Sequence, residues 1–564
     1  MATVVNFGGR QCIEPGAYAT TVYTPTSVVN VAQFGNVMII DTGNDPNYTR
    51  STQDWQELGV SLPAGVTKLE FSGGAGINGE SAKGGKAVYE FDAIEDFRDF
   101  LGGGELAAIA EKLFTPRSGA AGAPKVFYTR AAKTTPAQIG SLELDTQIDL
   151  EITLKNEGIL GNGVLSNGVL KVGYAVDVVG NASDGYTMRI HRGNFGGYDS
   201  AGDRINGYSW ETAFGEVIAE SPVLMNNGST AEFIQWCKTD PTLNAIASIN
   251  GYAKEQNFTT INAKTLTAFT GGTTTYLDGS SMSDVMDAIE EMDITFFLAT
   301  NMSIDGATDS ATNAKIFTHI KTQARYGSIL FVPAGEGDDD LFGTGAGTSQ
   351  SVAKYYNDAK VVVVHGAPET ARLDNPRDVK QLPTVYLAAA IMGLNAGMAA
   401  QTPITFKQVG YNAFKYDLKR KEREKALQAG IMHVRNVNGS WCVNQGITSL
   451  QDNLQTYDPQ GNSMELSIEL IKAQVNKELI IDAQTRFTGQ NAAQASPESV
   501  KNFTETKLQS LVAERGADNL ILNWKNVKVT TKNSDYYINY DFVPNVPVNK
   551  LFFVGNVLDF TVSA

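Results

Sequence analysis

Residues 359–364 read Ala359-Lys360-Val361-Val362-Val363-Val364, ending in four consecutive β-branched side chains. Valine is stiff at χ1 and packs well on a pleated surface, so the run predicts a strand. Outward from it, residues 328–332 and 294–298 predict two more strands. Residues 281–292 predict a helix with Val285, Ile289 and Met292 near one face. Residues 385–400 predict a buried helix whose Ala388, Ala389, Ala390, Ala396 and Ala400 permit close packing. Short apolar strands alternating with helices across 265–400 predict an α/β unit with at least partly parallel pairing.

Toward the C-terminus, residues 464–487 predict a long amphipathic helix. Leu466, Leu470, Val475, Leu479 and Ile480 supply most of its apolar stripe. Ser496 is placed to cap a further helix with Pro497 at its first position, carrying Phe503, Leu508 and Leu511 and closing at Gly516. Strands are expected at 524–530, 536–542 and 551–562. The last needs a partner for its backbone groups, inside the chain or on a neighbour.

Toward the N-terminus, the first 20 residues are poor in large apolar side chains and hold Gly8, Gly9, Pro15 and Gly16, which predicts an extended arm. Strand-like sequence at 27–40 precedes helices at 94–100 and 105–114 and a strand at 125–129. From 142 to about 210 short alternating runs separated by Gly- and Asn-rich turns predict a mainly β domain. The resulting division is an arm at 1–23, an α/β segment at 24–134 packing with the core and a protruding β domain at 135–255. An α/β domain at 256–400, an α+β core domain at 401–550 and an arm strand at 551–564 complete it. With 564 residues, three or four domains are expected.

Composition narrows the function classes. The net charge of −16 comes from 45 basic and 61 acidic side chains, a balance that repels nucleic acid and anionic membranes. No direct nucleic-acid partner is expected. Cys12, Cys237 and Cys442 are odd in number and far apart, which gives neither a disulfide framework nor a thiolate metal pattern. Residues 1–9 lack the pattern of a signal peptide, and no stretch reaches about 18 clean apolar residues, so no membrane span is expected. Synthesis and folding in a cytoplasm are expected.

Chemistry-bearing motifs are absent from the sequence: no Walker A loop, no His-Glu-x-x-His, no Gly-x-Ser-x-Gly. The glycine-rich pieces at 73–76 and 343–347 lack the dinucleotide fingerprint. His191, His319, His365 and His433 have no ligand-spaced neighbours. Glu336-Gly337-Asp338-Asp339-Asp340 lacks the spacing of a calcium loop and reads as solvated. Lys415, Lys419, Arg420, Lys421, Arg423 and Lys425 are offset by Asp417, Glu422 and Glu424, the pattern of an exposed helix or connector facing an acidic surface. No residue is assigned to catalysis, cofactor binding or metal binding, and the chain is not expected to be an enzyme.

Several stretches, in order, resemble the tail sheath proteins of contractile bacteriophages and related injection particles. Pro15-Gly16-Ala17-Tyr18 is similar to the Pro-Gly-Val-Tyr opening of that family. Leu266-Thr267-Ala268-Phe269-Thr270-Gly271-Gly272-Thr273 resembles its apolar-Thr-Gly-Gly turn before a helix and a strand. Gly439-Ser440-Trp441-Cys442-Val443-Asn444-Gln445-Gly446-Ile447-Thr448-Ser449-Leu450 resembles its hairpin ending in Gly-Ile-Asn-Thr-Leu, with Thr448 for Asn and Ser449 for Thr. The long helix, Thr488-Gly489 and the terminal β segment follow in the family's order. The resemblance is clearest over 265–564 and thin over 135–255.

That resemblance implies a multi-domain α/β and α+β protein. It would have a mainly β outer domain, a subtilisin-like α/β domain without a working triad and an α+β C-terminal domain with extended arms. It implies hexameric rings stacked around a tail tube, with tube, baseplate and tail terminator proteins as partners, in a virion assembled in the host cytoplasm. The arms would add strands to neighbouring subunits on a surface including 441–443 and 524–529. The alternatives are another particle component (tube, baseplate or shell) and an α/β hydrolase. The hydrolase would need a nucleophile, a histidine and an acid converging in one pocket.

Overall fold

The computed structural model describes residues 5–7, 10–12, 35–41, 88–101, 105–145, 148–154, 161–166, 168–193, 216–251, 257–276, 286, 289, 292–300, 312–322, 327–335, 338–343, 348–371, 379–451, 464–491, 495–512, 520–532 and 535–544. The valine run becomes the strand Val361–His365, and all five of its residues are buried. It lies inside an eight-stranded sheet. Across the sheet the order is Ser440–Val443, Ile431–Val437, Val361–His365, Ile329–Ala334, Phe296–Ala299, Val37–Asp41, Val126–Arg130 and Tyr89–Phe91. The six inner strands run parallel. The two outermost strands are antiparallel to their neighbours.

Alternate side chains of these strands feed two separate cores, which is why the strands carry no polar face. Phe296, Leu298, Phe331, Val362 and Val364 point into one core. Phe297, Leu330, Val332, Val361 and Val363 point into the other. The helices Glu105–Phe114 and Thr384–Ala396 contribute to the first core. The helices Thr312–Thr322, Ser349–Tyr356 and Arg420–Gln428 contribute to the second. A single sheet therefore draws strands from residue 37 to residue 443, across the compositional divisions at 134 and 400.

Thr384–Ala396 is buried at every position. Its small side chains let it lie against Glu105–Phe114 at a separation that only glycine tolerates at one point. A Cβ on Gly393 would sit 2.5 Å from the Lys112 carbonyl oxygen and 2.7 Å from that of Leu113. Helix propensity alone predicts that Gly393→Ala stabilises the protein by about 1 kcal/mol. The contact predicts the opposite sign, a loss of about 1–3 kcal/mol. The urea midpoint of the variant decides between them.

Between Val126–Arg130 and Phe296–Ala299 the chain leaves the sheet to build a second unit. It goes out and comes back through an antiparallel pair, Ala132–Thr135 with Thr273–Tyr276. Beyond this stalk lie a four-stranded sheet and a three-stranded sheet. The first is ordered Glu216–Glu220, Gly185–Arg192, Tyr174–Asn181, Lys264–Ala268. The second is ordered Ala247–Asn250, Asp149–Leu154, Gln138–Glu143. Phe233, Trp236, Phe258 and Phe269 fill the core that this unit shares with the helices Ala231–Thr239 and Pro241–Ile246. Composition placed the end of the β region at 255. Lys264–Ala268 nonetheless pairs with Tyr174–Asn181. Its own residues, Lys-Thr-Leu-Thr-Ala, carry too little apolar signal to declare the strand.

Two buried carboxylates of this unit are satisfied. Asp145 accepts from the Ile148 and Thr259 amides, each at 2.9 Å. Asp177 holds Arg189 at 2.7 Å and His191 at 3.1 Å. Burial opposes ionisation of Asp177, but hydrogen bonds from His191 and Arg189 outweigh it and hold the carboxyl below its usual range.

Candidate assembly surface

Past the central sheet the chain forms the 22-residue helix Leu466–Phe487 and the helix Pro497–Ser510. Ser496 caps the latter by accepting from the Ser499 amide at 3.2 Å, with Pro497 at its first position. The long helix is less amphipathic than its sequence predicts. Residues 466–471 are all buried, Ser467 and Glu469 included. Glu469 is paired with Lys472 one turn on, so its charge is compensated where it is buried. Lys507 joins the two helices, 2.7 Å from both Glu478 and Asp482. Burial works against its charge, but hydrogen bonds to Asp482 and Glu478 prevail and raise its pKa.

The strands Ile521–Lys532 and Asp535–Pro544 form an antiparallel hairpin beside these helices. Val527 and Ile521 are buried, while Trp524, Tyr540 and Phe542 are partly buried against the main core. Trp524 Nε1 donates to Gln509 Oε1 at 3.1 Å, and the Tyr540 hydroxyl donates to Asn476 Oδ1 at 3.1 Å. These bonds fasten the hairpin to both helices through its side chains. The register slips between Lys525 and Lys528, where Asn526 has a φ of 58°. Such a bulge bends the strand and increases its twist. Among the described residues this sheet has two strands only. Each outer edge therefore presents backbone donors and acceptors to whatever strand lies next to it.

The other expected receiving surface, 441–443, is closed. Ser440–Val443 is an outermost strand of the large sheet. Residues 406–409 run along its outer side, a segment that sequence reading left unassigned. Phe406 N donates to Val443 O at 2.8 Å, Val443 N to Lys407 O at 2.9 Å and Val409 N to Trp441 O at 2.9 Å. Buried Ile404 and Val409 anchor this strap at either end. A strand docking at 441–443 would have to break those bonds first. The N-terminal segments Val5–Phe7 and Arg10–Cys12 pair with each other antiparallel. The expected arm strand at 551–564 lies outside the described residues.

The nucleophile and the histidine that a hydrolase needs do meet, but in the buried interior. Ser349 Oγ is 2.8 Å from His365 Nδ1, and both residues are buried. The charge facing His365 across the sheet is another histidine, His433. Asp41, also buried, ends a strand three positions away in the sheet order. That spacing is about 14 Å at the usual interstrand separation. Asp41 is instead bound by the Tyr128 and Thr300 hydroxyls, each at 3.4 Å. Among the described residues no group of three or more His, Cys, Asp or Glu is disposed to hold a metal. The acidic run contributes the short helix Asp338–Leu341. The basic run forms Arg420–Gln428, where Arg420 meets Glu424 at 2.8 Å and Arg423 meets Asp417 at 3.7 Å. Among the described residues, no helix is long and apolar enough to cross a membrane.

No family model matches the chain. A curated relative, the tail sheath protein of Bacillus phage SP01, is 23% identical over 616 aligned positions, covering 97% of this chain and 95% of the relative. In fold, the chain is similar to the crystal structure of a sheath tail protein from Desulfitobacterium hafniense. The TM-score is 0.53 at 13% identity, with 94% of this chain and 96% of that one covered. A sheath tail protein from Listeria innocua gives a TM-score of 0.52 at 14% identity, covering 92% and 93%. These relatives are named as tail sheath proteins, which are structural components. Along nearly its whole length the chain is thus similar in sequence to a tail sheath protein, and in fold to two sheath tail proteins.

Proposed function

We propose that this chain is the repeating subunit of a contractile phage tail sheath. It polymerises as stacked hexameric rings around a tail tube and contracts to drive that tube through the host envelope. The observation that carries this reading is the C-terminal hairpin. Its side chains are fixed to helices of its own subunit, while among the described residues no third strand pairs with either of its edges. Strand addition supplies many backbone hydrogen bonds and tolerates large movement of the domains on either side. Residues 1–23 and 551–564 are the proposed donor strands, and 524–529 belongs to the proposed acceptor.

In this reading the large sheet with its two helix layers is the subtilisin-like body, retained as a rigid block without a triad. The β unit on its stalk protrudes outward. The tube, baseplate and tail terminator proteins are the remaining partners, and the sheath is a virion component assembled in the host cytoplasm. Contraction draws on free energy stored in the extended lattice and needs no cofactor. Negative-stain microscopy of the purified chain at rising concentration tests the proposal. Ordered tubes with helical striations are expected, and a chain that stays monomeric at every concentration sinks it.

A further inference from the structure

On the strap that closes the sheet edge, Phe406 has a φ of 60°, a backbone conformation that a bulky side chain rarely adopts. Its ring is nevertheless 49% exposed. The ring supports a guanidinium: Arg435 Cζ lies 4.3 Å from its centroid. Arg435 stands opposite Cys442 in the ladder, and Cys442 stands opposite Gln408 on the strap. Gln408 Oε1 in turn accepts from Arg117 Nη1 at 3.5 Å. Two guanidiniums thus stand on either side of one sheet edge. Arg423, on the helix covering that face, lies near enough to work with burial in lowering the Arg435 pKa.

Arg435 has no carboxylate or other hydrogen-bond acceptor among the described residues, and its Nε, like that of Arg117, is shielded from water without a partner. Shielded donors are normally satisfied, so the two Nε groups are exceptions that call for an explanation. The planar fork of arginine matches a carboxylate or a phosphate in two parallel bonds. The chain itself carries 16 more acidic than basic side chains, so a second copy offers carboxylates in excess. The same net charge disfavours approach of a nucleic acid.

We propose that Arg117 and Arg435, with Phe406 as a platform, form a receptor for an acidic side chain of a second copy of this chain. This rests on the sheath reading and adds a specific subunit contact to it, separate from strand addition at the hairpin. Two measurements keep the claims apart. The first is fluorescence anisotropy of a labelled oligoglutamate peptide on the unassembled full-length chain. Binding is expected to weaken about tenfold or more in Arg435→Gln and Arg117→Gln and to be only partly rescued in Arg435→Lys. The second is the critical concentration for polymerisation, expected to rise in the same order, with circular dichroism unchanged. Equal peptide binding by wild type and variants overturns the proposal even if tubes form. Tighter binding of a labelled DNA duplex than of the peptide at equal salt also overturns it. A wild-type chain that binds the peptide but never polymerises defeats the sheath reading and removes the second copy as the occupant.

Discussion

A chain lacking residues 551–564 is expected to fold normally and to remain unassembled at concentrations where the full-length chain forms tubes. Among the described residues the hairpin has its own anchors. Val527 and Ile521 are buried against the main core, and Trp524 and Tyr540 hold to Gln509 and Asn476. The thermal midpoint should therefore move little. Assembly is another matter. An added strand making roughly five backbone bonds contributes about 5 kcal/mol at about 1 kcal/mol each. At 1.4 kcal/mol per decade, that weakens each subunit contact by roughly four thousandfold. Sedimentation velocity and negative-stain images of the truncated chain give the answer. Tubes of normal length at normal concentration would show that the edges of Ile521–Lys532 and Asp535–Pro544 are not where neighbours are held.

The second large effect is acid lability. His433 is buried, and both of its ring nitrogens are committed in the neutral form. Nδ1 donates to the Ile431 carbonyl at 3.2 Å, and Nε2 accepts from the Asn444 amide at 3.0 Å. Protonation would turn Nε2 into a donor facing a donor, with Arg423 and Arg435 nearby. Burial, opposed in part by the Ile431 bond and aided by the two arginines, lowers the His433 pKa to about 4. Burial and the neighbouring His433 lower that of His365 to about 3. A depressed histidine favours folding fully above the unfolded value of about 6.5, and that contribution fades as pH falls toward the folded value. Each group then costs up to about 1.4 kcal/mol per pH unit. Between pH 7 and pH 5 the two together should remove on the order of 4 kcal/mol, a large part of a typical folding free energy. Urea midpoints at the two pH values measure it directly. His433→Gln is expected to lower stability at pH 7 and to flatten the dependence on pH. A profile as steep as that of wild type would place the titrating groups elsewhere.

The central sheet was legible because its strands declare themselves one at a time. Four consecutive valines at 361–364 cannot serve a half-exposed strand, and the alanine-rich 384–396 segment cannot serve an exposed helix. The helix at 497 was equally plain, because serine followed by proline is both a cap and a start. What the sequence hid was pairing between distant segments. Lys264–Ala268 is a strand only because Tyr174–Asn181 offers it an edge. The strap at 406–409 has no regular pattern, and its role follows from lying against 441–443. Arg117 and Gln408, 291 positions apart, meet only once the sheet exists. The two expected acceptor segments illustrate the same limit. Both read as β sequence, yet a neighbouring loop has taken one edge, while among the described residues no strand has taken the other.

The stalk formed by Ala132–Thr135 and Thr273–Tyr276 brings the entrance and exit of the β unit side by side. A unit tethered in this way can be enlarged, trimmed or exchanged for a foreign module without stretching the frame from which it hangs. The ends to be rejoined are already neighbours, so this unit is free to diversify while the large sheet stays fixed. It also makes this junction the natural place to graft a display domain onto the chain.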